Sequence, residues 1–229
     1  MRIRKNQIVS LWLLGLAAAL LLPGCRQHSD SDEVQVRLIN AVPDAGALDV
    51  SVQGRRVWKG AMFRSSTGYQ GIAAGVYELR VDSETLHATL LVNRPLSFEK
   101  DHAYTVLALG MARGSSAPTS LQMLDDAPPE GVTGGKAGLR LINAAPGDAG
   151  LDLAVNNIVG LEGIRYGRRS GILLLDAGVY DLKVASSDTP DALAGPISLR
   201  LDPGRTYTLV AMGQAANQTL SLEAFPDGR

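Results

Sequence analysis

The chain has few of the residues on which several common kinds of site depend. It contains one cysteine, Cys25, among 229 residues, so no intramolecular disulfide and no multi-cysteine metal site can form. Aromatic residues make up only 5% of the chain. Neither charge sign predominates, because 22 basic residues face 23 acidic ones for a formal net charge of −1. The sequence therefore lacks the basic footprint of a nucleic-acid-binding protein, and we predict no nucleic-acid partner.

Catalytic signatures are missing as well. The nucleophile elbow Gly-x-Ser-x-Gly does not occur, and the nearest fragment, at 167–171, has the wrong spacing. Phosphate-binding loops and helical zinc motifs are also absent. The histidines are His28, His87 and His102, which we interpret as exposed loop residues rather than ligands. We predict no catalytic, cofactor-binding or metal-binding residue and no enzyme, although a shallow site built from scattered carboxylates stays open as an alternative.

Apolar residues are plentiful but are divided into short stretches. They form 45% of the chain, which is enough for a packed core, while 25 glycines and 11 prolines interrupt the sequence often. This mixture favours short strands and turns over long helices.

The first 25 residues have the pattern of an export signal. Three basic residues within the first five positions precede a 15-residue apolar stretch at 8–22. That stretch is shorter than the roughly 20 residues of a membrane-spanning helix and is typical of a signal peptide. It ends in Leu22-Pro23-Gly24-Cys25, which resembles the lipobox of bacterial lipoproteins.

The resemblance implies cleavage between Gly24 and Cys25, a diacylglyceryl group on the Cys25 thiol and a further acyl chain, such as palmitate, on its amine. Two or three acyl chains give durable membrane anchoring. In Gram-negative lipoproteins an aspartate after the cysteine tends to retain the protein in the inner membrane. If the source is Gram-negative, Arg26 therefore favours the outer membrane, at its periplasmic face or the cell surface. An uncleaved short anchor, or an ordinary signal followed by an incidental cysteine, stays open as an alternative.

The rest of the chain consists of two copies of one sequence repeat. The segment Arg-Leu-Ile-Asn-Ala at 37–41 recurs at 140–144, an offset of 103 residues, and 24 of the 75 positions from 36 to 110 have an identical counterpart at that offset. Beyond residue 110 the offset falls to 101, because the first copy has a loop that is two residues longer. Identity at this level indicates an internal duplication.

The repeats, the signal and a Pro/Gly-rich linker divide the chain into five parts. They are a signal peptide at 1–24, the lipidated cysteine with a polar tether at 25–35, a first repeat at 36–126, a linker at 127–137 and a second repeat at 138–229.

Within each repeat the hydrophobic period is two, which is typical of strands with one buried face. In the first repeat it predicts strands near 34–38, 48–53, 67–72, 76–81, 89–98, 104–109 and 120–124. About seven short strands in some 90 residues predict two tandem immunoglobulin-like antiparallel β-sandwiches. Tyr104 and Tyr207 precede a late strand, where a tyrosine hydroxyl closes a corner onto nearby backbone.

The combination of Arg-Leu-Ile-Asn-Ala, a proline turn, Leu-Asp-Val at 48–50, Ala-Gly-Val-Tyr at 74–77 and Tyr-Thr-Val at 104–106 resembles a bacterial family known as domain of unknown function 4397. The resemblance covers about 36–126 and 139–226. It implies secreted or lipid-anchored β-sandwiches, often in tandem, and brings no activity with it.

Two repeated pairs, Arg37 with Asp49 and Arg140 with Asp152, are expected to point outward from neighbouring strands. The favoured interpretation is a cross-strand ion pair that helps to fix the strand register. The alternative is a calcium site made by Asp49 and Asp152 with Asp44 or Asp148, although calcium needs six to eight oxygen ligands.

Trp58 is the candidate partner-binding residue, because basic residues flank it and exposed aromatics commonly stack on sugars or proteins. The alternative is that Trp58 packs within the sandwich.

The function hypotheses follow from the predicted export and lipidation signal and from the duplication. The first is a lipid-anchored cell-envelope protein that binds an envelope protein or a glycan without catalysis. The alternative is a structural spacer with no specific ligand. A binder should concentrate unmatched residues in one repeat, whereas a spacer should have interchangeable copies.

Overall fold

A computed structural model describes residues 33–228 apart from positions 94, 115, 148 and 190. Its first repeat contains β1 (Glu33–Ala41), β2 (Leu48–Val52), β3 (Arg55–Ala61), β4 (Ser65–Ser66), β5 (Gln70–Ala73), β6 (Gly75–Tyr77), β7 (Leu79–Ser83), β8 (Ala88–Val92), β9 (Leu96–Phe98), β10 (Ala103–Leu109) and β11 (Ser120–Asp125). Its second repeat contains β12 (Lys136–Asn143), β13 (Leu151–Val155), β14 (Ile158–Ile164), β15 (Leu173–Asp176), β16 (Gly178–Ser186), β17 (Ala192–Leu201), β18 (Thr206–Met212) and β19 (Ser221–Pro226), with a 3₁₀ turn at Ala215–Asn217.

Each repeat folds into two main sheets. We call β11-β10-β1, with β4 and β5 also on β1, the first inner sheet and β3-β2-β7-β8 the first outer sheet. The second inner sheet is β15-β12-β18-β19 and the second outer sheet is β14-β13-β16-β17. The predicted all-β fold with antiparallel sandwiches is confirmed. One pair in each repeat, β1 with β10 and β12 with β18, is parallel, because the chain between these strands passes through the outer sheet before it returns.

The sandwich cores lie between the inner and outer sheets. In the first repeat, Leu38 and Val106 of the inner sheet meet Val50, Trp58 and Val81 of the outer sheet, and all are fully buried. Leucine and valine fill the equivalent places of the second repeat: Leu141, Leu153, Val184 and Leu209. The period of two therefore identifies the core-facing side of each strand.

The tyrosine corners are confirmed in both repeats. The backbone N–H of Glu99 donates to the Tyr104 hydroxyl at 3.3 Å. The N–H of Asp202 donates to the Tyr207 hydroxyl at 3.1 Å. Each hydroxyl is thus used for local structure, and both tyrosines are 5% exposed.

Some of the observed strands differ from the predicted ones. Strand β3 was not predicted, because three charged and exposed residues, Arg55, Arg56 and Lys59, mask its alternation, while Trp58 faces the core. The single strands expected at 76–81 and 89–98 are each two: β7 pairs with β8 in the outer sheet, and β6 pairs with β9 in a separate two-stranded sheet.

A third apolar cluster joins the two repeats. It contains five residues of the first repeat and five of the second, namely Ile39, Ala41, Leu107, Leu109, Leu124, Ile142, Ala144, Val210, Met212 and Phe225. These side chains project from the inner sheets on the side away from the sandwich cores, so the two inner sheets pack face to face. We call this contact the junction.

Residues 1–32, which include Gly24, Cys25 and His28, lie outside the described part of the chain. Within residues 33–228, less the four omitted positions, no helix has the length and apolarity needed to cross a membrane.

Candidate functional site

Both repeated arginines lie in the junction, where Arg37 is 3% and Arg140 5% exposed. The Arg37 Nη2 lies 2.7 Å from Asp227 Oδ1 of the other repeat. The Arg140 Nη2 lies 2.6 Å from Asp126 Oδ1 of the first repeat and 3.0 Å from Asp227 Oδ2. Asp126 and Asp227 are equivalent at the offset of 101 residues, so each repeat supplies an arginine to the aspartate of the other. Reciprocal contacts of this kind define an isologous, two-fold-like interface.

Two threonines complete this set of buried polar groups. Arg37 Nε donates to Thr105 Oγ1 at 2.7 Å, and that hydroxyl donates to Asp126 Oδ2 at 2.6 Å. In the second repeat, Arg140 Nε donates to Thr208 Oγ1 at 2.7 Å, which donates to Asp227 Oδ1 at 2.7 Å. We call Arg37, Arg140, Asp126, Asp227, Thr105 and Thr208 the ionic network.

The remaining Nη1 groups donate to backbone carbonyls. Arg37 Nη1 reaches the oxygen of Pro226 at 2.6 Å, and Arg140 Nη1 reaches that of Asp125 at 3.1 Å. Every edge of both guanidinium groups thus has a partner, which is the condition for burying a charge at tolerable free energy.

The expected ion pairs Arg37–Asp49 and Arg140–Asp152 are therefore wrong. Arg37 lies on β1 in an inner sheet, whereas Asp49 lies on β2 in an outer sheet, so the two are not cross-strand neighbours. The expectation that Arg37 faces solvent is wrong for a related reason. Strand β1 is buried on both faces, since its second face packs against the other repeat.

Asp49 and Asp152 instead accept hydrogen bonds from backbone N–H groups at register shifts in their own outer sheets. Asp49 accepts from the N–H of Gly60 at 2.9 Å and pairs with Arg56 Nη1 at 2.9 Å. Asp152 accepts from the N–H of Gly163 at 2.7 Å. Each glycine lies on the partner strand, which is out of regular register there, so the retained aspartate satisfies an amide that the ladder leaves unpaired.

The other carboxylate of the calcium hypothesis is also occupied by backbone groups. Asp44 accepts from the N–H groups of Ala112 and Arg113 at 2.7 and 2.9 Å, which fastens the longer loop of the first repeat. Asp148 lies outside the described residues. Among the residues that are described, no group of three or more His, Cys, Asp or Glu side chains is placed to hold a metal ion.

Tyr69 extends the ionic network on one side. Its hydroxyl donates to Asp126 Oδ2 at 2.8 Å and accepts from the N–H of Gly228 at 3.0 Å. Its ring centroid lies 4.9 Å from the Arg37 guanidinium carbon. Burial raises the pKa of Tyr69 far above its ordinary value, and burial also raises the pKa of the Asp227 carboxyl.

The sequence analysis missed the junction, although a signal for it exists. A strand buried on one face alternates, whereas Leu38-Ile39-Asn40-Ala41-Val42 and Val106-Leu107-Ala108-Leu109 are nearly continuous apolar runs. Such runs are typical of strands buried on both faces. Applied to both repeats, this rule predicts that the inner sheets are buried on both faces.

The outer sheets carry two clefts in equivalent positions. The first, of about 450 Å³, is lined by Asp49, Arg56, Arg80, Asp82, Ser83, Glu84, His87, Ala88 and Thr89. The second, of about 400 Å³, includes the counterparts Asp152, Val159, Lys183, Ala185, Ser186 and Ser187. We call these the first and second outer clefts. They differ in how many charged side chains they hold, because Val159, Ala185 and Ser187 stand where the first cleft has Arg56, Asp82 and Glu84, although the second cleft also contains Asp188.

Hydrogen bonds hold the charges of the first outer cleft in place. Arg80 Nε lies 2.9 and 3.0 Å from the two Asp82 oxygens, and Thr89 Oγ1 donates to Asp82 Oδ1 at 2.6 Å. Partial burial opposes the ionised form of Asp82, but the hydrogen bonds from Thr89 and Arg80 lower its pKa. The side chains of Arg56 and Arg80 are 53% and 56% exposed, so both can still reach a ligand.

The other residues singled out by sequence lie at different depths in the fold. Trp58 is completely buried in the first sandwich core, so its indole is not accessible to a partner in this structure. His87 is exposed at the first outer cleft. His102 is half-buried, lies 2.8 Å from Asp125 through Nδ1 and stacks on Tyr104.

Comparison with known proteins identifies a family and two solved structures of low similarity. The family described as Domain of unknown function (DUF4397) matches residues 34–149 and 137–229. No curated protein matches the chain. The C-terminal domain of AlgF from P. aeruginosa is similar at 14% identity and a TM-score of 0.31, over 41% of this chain and 98% of that one. A leucine-rich repeat protein from Bacteroides thetaiotaomicron is similar at 14% identity and a TM-score of 0.22, over 80% of this chain and 26% of that one.

Because the family match spans nearly all the described residues, in two regions that follow the internal duplication, the chain belongs to the DUF4397 family of domains of unknown function.

Proposed function

We propose that the protein is a lipid-anchored component of the bacterial cell envelope that binds a protein or a glycan without catalysis. The lipobox-like segment ending at Cys25 supports the anchor. Acyl chains on Cys25 would hold the protein at the outer membrane, and the polar tether would separate the paired sandwiches from the lipid surface.

The larger number of charged side chains at the first outer cleft is the observation that favours binding over a spacer role. A spacer gains nothing from Arg56, Arg80 and Asp82 at one cleft when the other has Val159, Lys183 and Ala185 in the same places. Exposed guanidinium groups fixed by carboxylates are ready to bind carboxylate, phosphate or hydroxyl groups with little loss of side-chain entropy. We therefore assign partner binding to the first outer cleft.

The anchor is tested by labelling native cells with a clickable palmitate analogue. Wild-type protein should carry the label and fractionate with the outer membrane. Cys25→Ser should lose both properties. Equal labelling and fractionation of the two proteins would contradict lipidation at Cys25.

The binding role is tested by crosslinking in native cells with matched variants of the two clefts. The crosslinked partner of the wild-type protein should be lost from the double variant Arg56→Gln with Arg80→Gln. It should be retained by Lys183→Gln, which alters the equivalent position of the second outer cleft. All variants should keep the wild-type melting temperature within a few degrees, because these side chains are more than half exposed in the first cleft. If no partner is captured by any variant, the spacer alternative is favoured.

A further inference from the structure

A third cleft, of about 410 Å³, lies at the junction and is chemically unlike the outer clefts. Linker residues 127–129 form one wall, and Arg140 and Ile172 form another. The cleft is lined by Asp125, Ala127, Pro128, Pro129, Arg140, Arg169, Ser170, Gly171, Ile172 and Thr206. We call it the junction cleft.

The duplication shows what the equivalent place contains on the other side of the junction. At the offset of 103 residues, Arg140 corresponds to Arg37 and Ile172 corresponds to Tyr69. The Tyr69 ring covers the Arg37 guanidinium at 4.9 Å, and its hydroxyl is held by Asp126 and by the N–H of Gly228. The chain's own tyrosine therefore occupies the position that is open beside Arg140.

The guanidinium groups of Arg140 and Arg37 are held by the same kinds of hydrogen-bond partner. Each uses Nε for a threonine, Nη1 for a backbone carbonyl and Nη2 for an aspartate of the ionic network. Each guanidinium nitrogen thus already has an acceptor in its plane, whereas the planar face of Arg140 has none. That face favours an aromatic ring over an anion, since an anion needs the in-plane N–H groups.

A buried hydroxyl without a partner supports a ligand at the same place. The Thr206 Oγ1 has no hydrogen-bond partner among the described residues, and Thr206 is 5% exposed. Its counterpart in the first repeat is Ala103, which carries no hydroxyl. A buried polar group is normally satisfied, so the wall of the junction cleft carries an unmet hydrogen-bonding capacity only on the side that lacks a tyrosine.

We propose that the junction cleft binds a tyrosine side chain presented by a partner protein. The ring stacks on the face of Arg140 as Tyr69 stacks on Arg37, and Pro128 and Pro129 cover its apolar edge. Thr206 supplies the hydrogen-bonding group nearest the phenol. Arg169, exposed at the rim and without an ion pair among the described residues, favours an acidic residue next to that tyrosine. This proposal concerns a different cleft from the proposed function and does not depend on it.

The test uses N-acetyl-tyrosinamide as the probe and amide NMR shifts of the full-length protein as the readout. Wild type should bind one equivalent in the millimolar range, with the largest shifts at 170–172. N-acetyl-phenylalaninamide should bind several-fold more weakly, because it lacks the hydroxyl. An adjacent glutamate in the probe should tighten binding, and Arg169→Gln should remove that gain.

Two matched substitutions each give one repeat the residue that the other repeat has at the equivalent position. Ile172→Tyr fills the junction cleft with the chain's own ring, so it should weaken probe binding at least tenfold without lowering the melting temperature. Tyr69→Ile opens the equivalent place and should create a second set of shifts at 67–69. If Tyr69→Ile does not fold, Ile172→Tyr alone decides the matter.

No shift at 170–172 with wild type at millimolar probe, or unchanged binding by Ile172→Tyr, would overturn the proposal. The variant Arg56→Gln with Arg80→Gln should bind the probe as wild type does. A failure of the outer-cleft experiment is thereby distinguished from a failure here.

Discussion

Asp227 contacts three other members of the ionic network. Its carboxylate pairs with Arg37 and Arg140 and accepts from Thr208. Removing one partner of a buried ion pair leaves the other charge uncompensated, at a cost of about 3–5 kcal/mol. We expect Asp227→Ala to lower the free energy of unfolding by that amount, measured by urea denaturation.

The control for this substitution is an aspartate in an exposed pair. Asp176 lies 2.8 Å from Lys136, and its side chain is 78% exposed. Exposed pairs contribute at most about 1 kcal/mol, so Asp176→Ala should have a small effect. Equal losses in the two variants would mean that the ionic network adds nothing beyond a surface pair.

Tyr69 makes the stability of the protein sensitive to alkali. Its pKa is raised in the folded state by burial, so the folded state holds the phenolic proton more tightly than the unfolded state does. Stability must then fall as the pH rises above about 10, where the unfolded tyrosine ionises. We expect Tyr69→Phe to lose less stability than wild type between pH 9 and pH 11.5, measured by denaturant unfolding at each pH. A parallel decline of both proteins would contradict the assignment.

The sequence predicts some residue roles well and others poorly, for identifiable reasons. Tyr104 and Tyr207 close backbone corners as expected, because that role depends on a few neighbouring residues. The partners of Arg37 and Arg140 could not be predicted, because Asp227 and Asp126 lie in the other repeat and pairing depends on how the repeats dock. Asp49 was assigned the wrong partner because two strands adjacent in sequence lie in different sheets.

Strands β1 and β12 show how the repeated segment Arg-Leu-Ile-Asn-Ala serves two interfaces. Its leucine enters the sandwich core, while its arginine, isoleucine and alanine face the junction. Its asparagine is buried and donates to a carbonyl of the outer sheet, from Asn40 to Ala61 at 2.8 Å and from Asn143 to Ile164 at 2.9 Å. Alternation alone located the core-facing side of these strands and could not show that the opposite side is also covered.

The junction face of β12 can be tested with two isoleucines of the same repeat. Ile142 is fully buried in the junction, and Ile158 on β14 is 74% exposed. Deleting a buried isoleucine side chain costs about 2–5 kcal/mol through lost transfer energy and the cavity left behind. Ile142→Ala should therefore lower the urea midpoint strongly, whereas Ile158→Ala should leave it nearly unchanged. Similar midpoints for the two variants would show that the junction face of β12 is not packed.

Gly110 and Gly213 directly follow the parallel strands β10 and β18, at positions where the nearby backbone leaves no room for a side chain. Gly213 has φ of 100°, and a Cβ there would lie 2.3 Å from the backbone oxygen of Thr219. Gly213→Ala should cost more than about 1–3 kcal/mol, because both the backbone conformation and the contact are unfavourable. Gly54, with φ of 78° and no atom within 4 Å of its Cβ position, is the control for the backbone term alone. If thermal unfolding shows equal losses for Gly213→Ala and Gly54→Ala, the close contact contributes nothing.

The complete chain has the contacts of a two-fold dimer within one polypeptide. The ionic network repeats with its partners exchanged, and the apolar cluster draws equally on both repeats. A second reciprocal contact lies nearby: Arg64 Nε donates to Glu223 at 2.7 Å, and their counterparts Gly167 and Gln122 are joined by a hydrogen bond at 2.5 Å. The duplication therefore buries the inner sheets and leaves the outer sheets exposed, where the two clefts differ in the number of charged side chains.

This arrangement was only partly foreseeable. Length, the offset of 103 residues and the period of two predict two sandwiches in tandem, and the structure confirms them. A Pro/Gly-rich linker separates the repeats in sequence, but an apolar face and a buried charge network are continuous across them. The continuous apolar runs indicate that the inner sheets are buried on both faces. Which surfaces dock depends on complementarity between segments about 100 residues apart, and no local pattern encodes that.

Cutting the linker tests the central claim that the two repeats form one unit through the junction. A protease site inserted between Gly134 and Gly135, which are both exposed, allows the folded full-length protein to be cleaved without touching the junction. After cleavage the two halves should elute together in size-exclusion chromatography at the volume of the uncut protein. They should separate when Asp126→Ala and Asp227→Ala are both present. Separation of the wild-type halves into two species would contradict the claim.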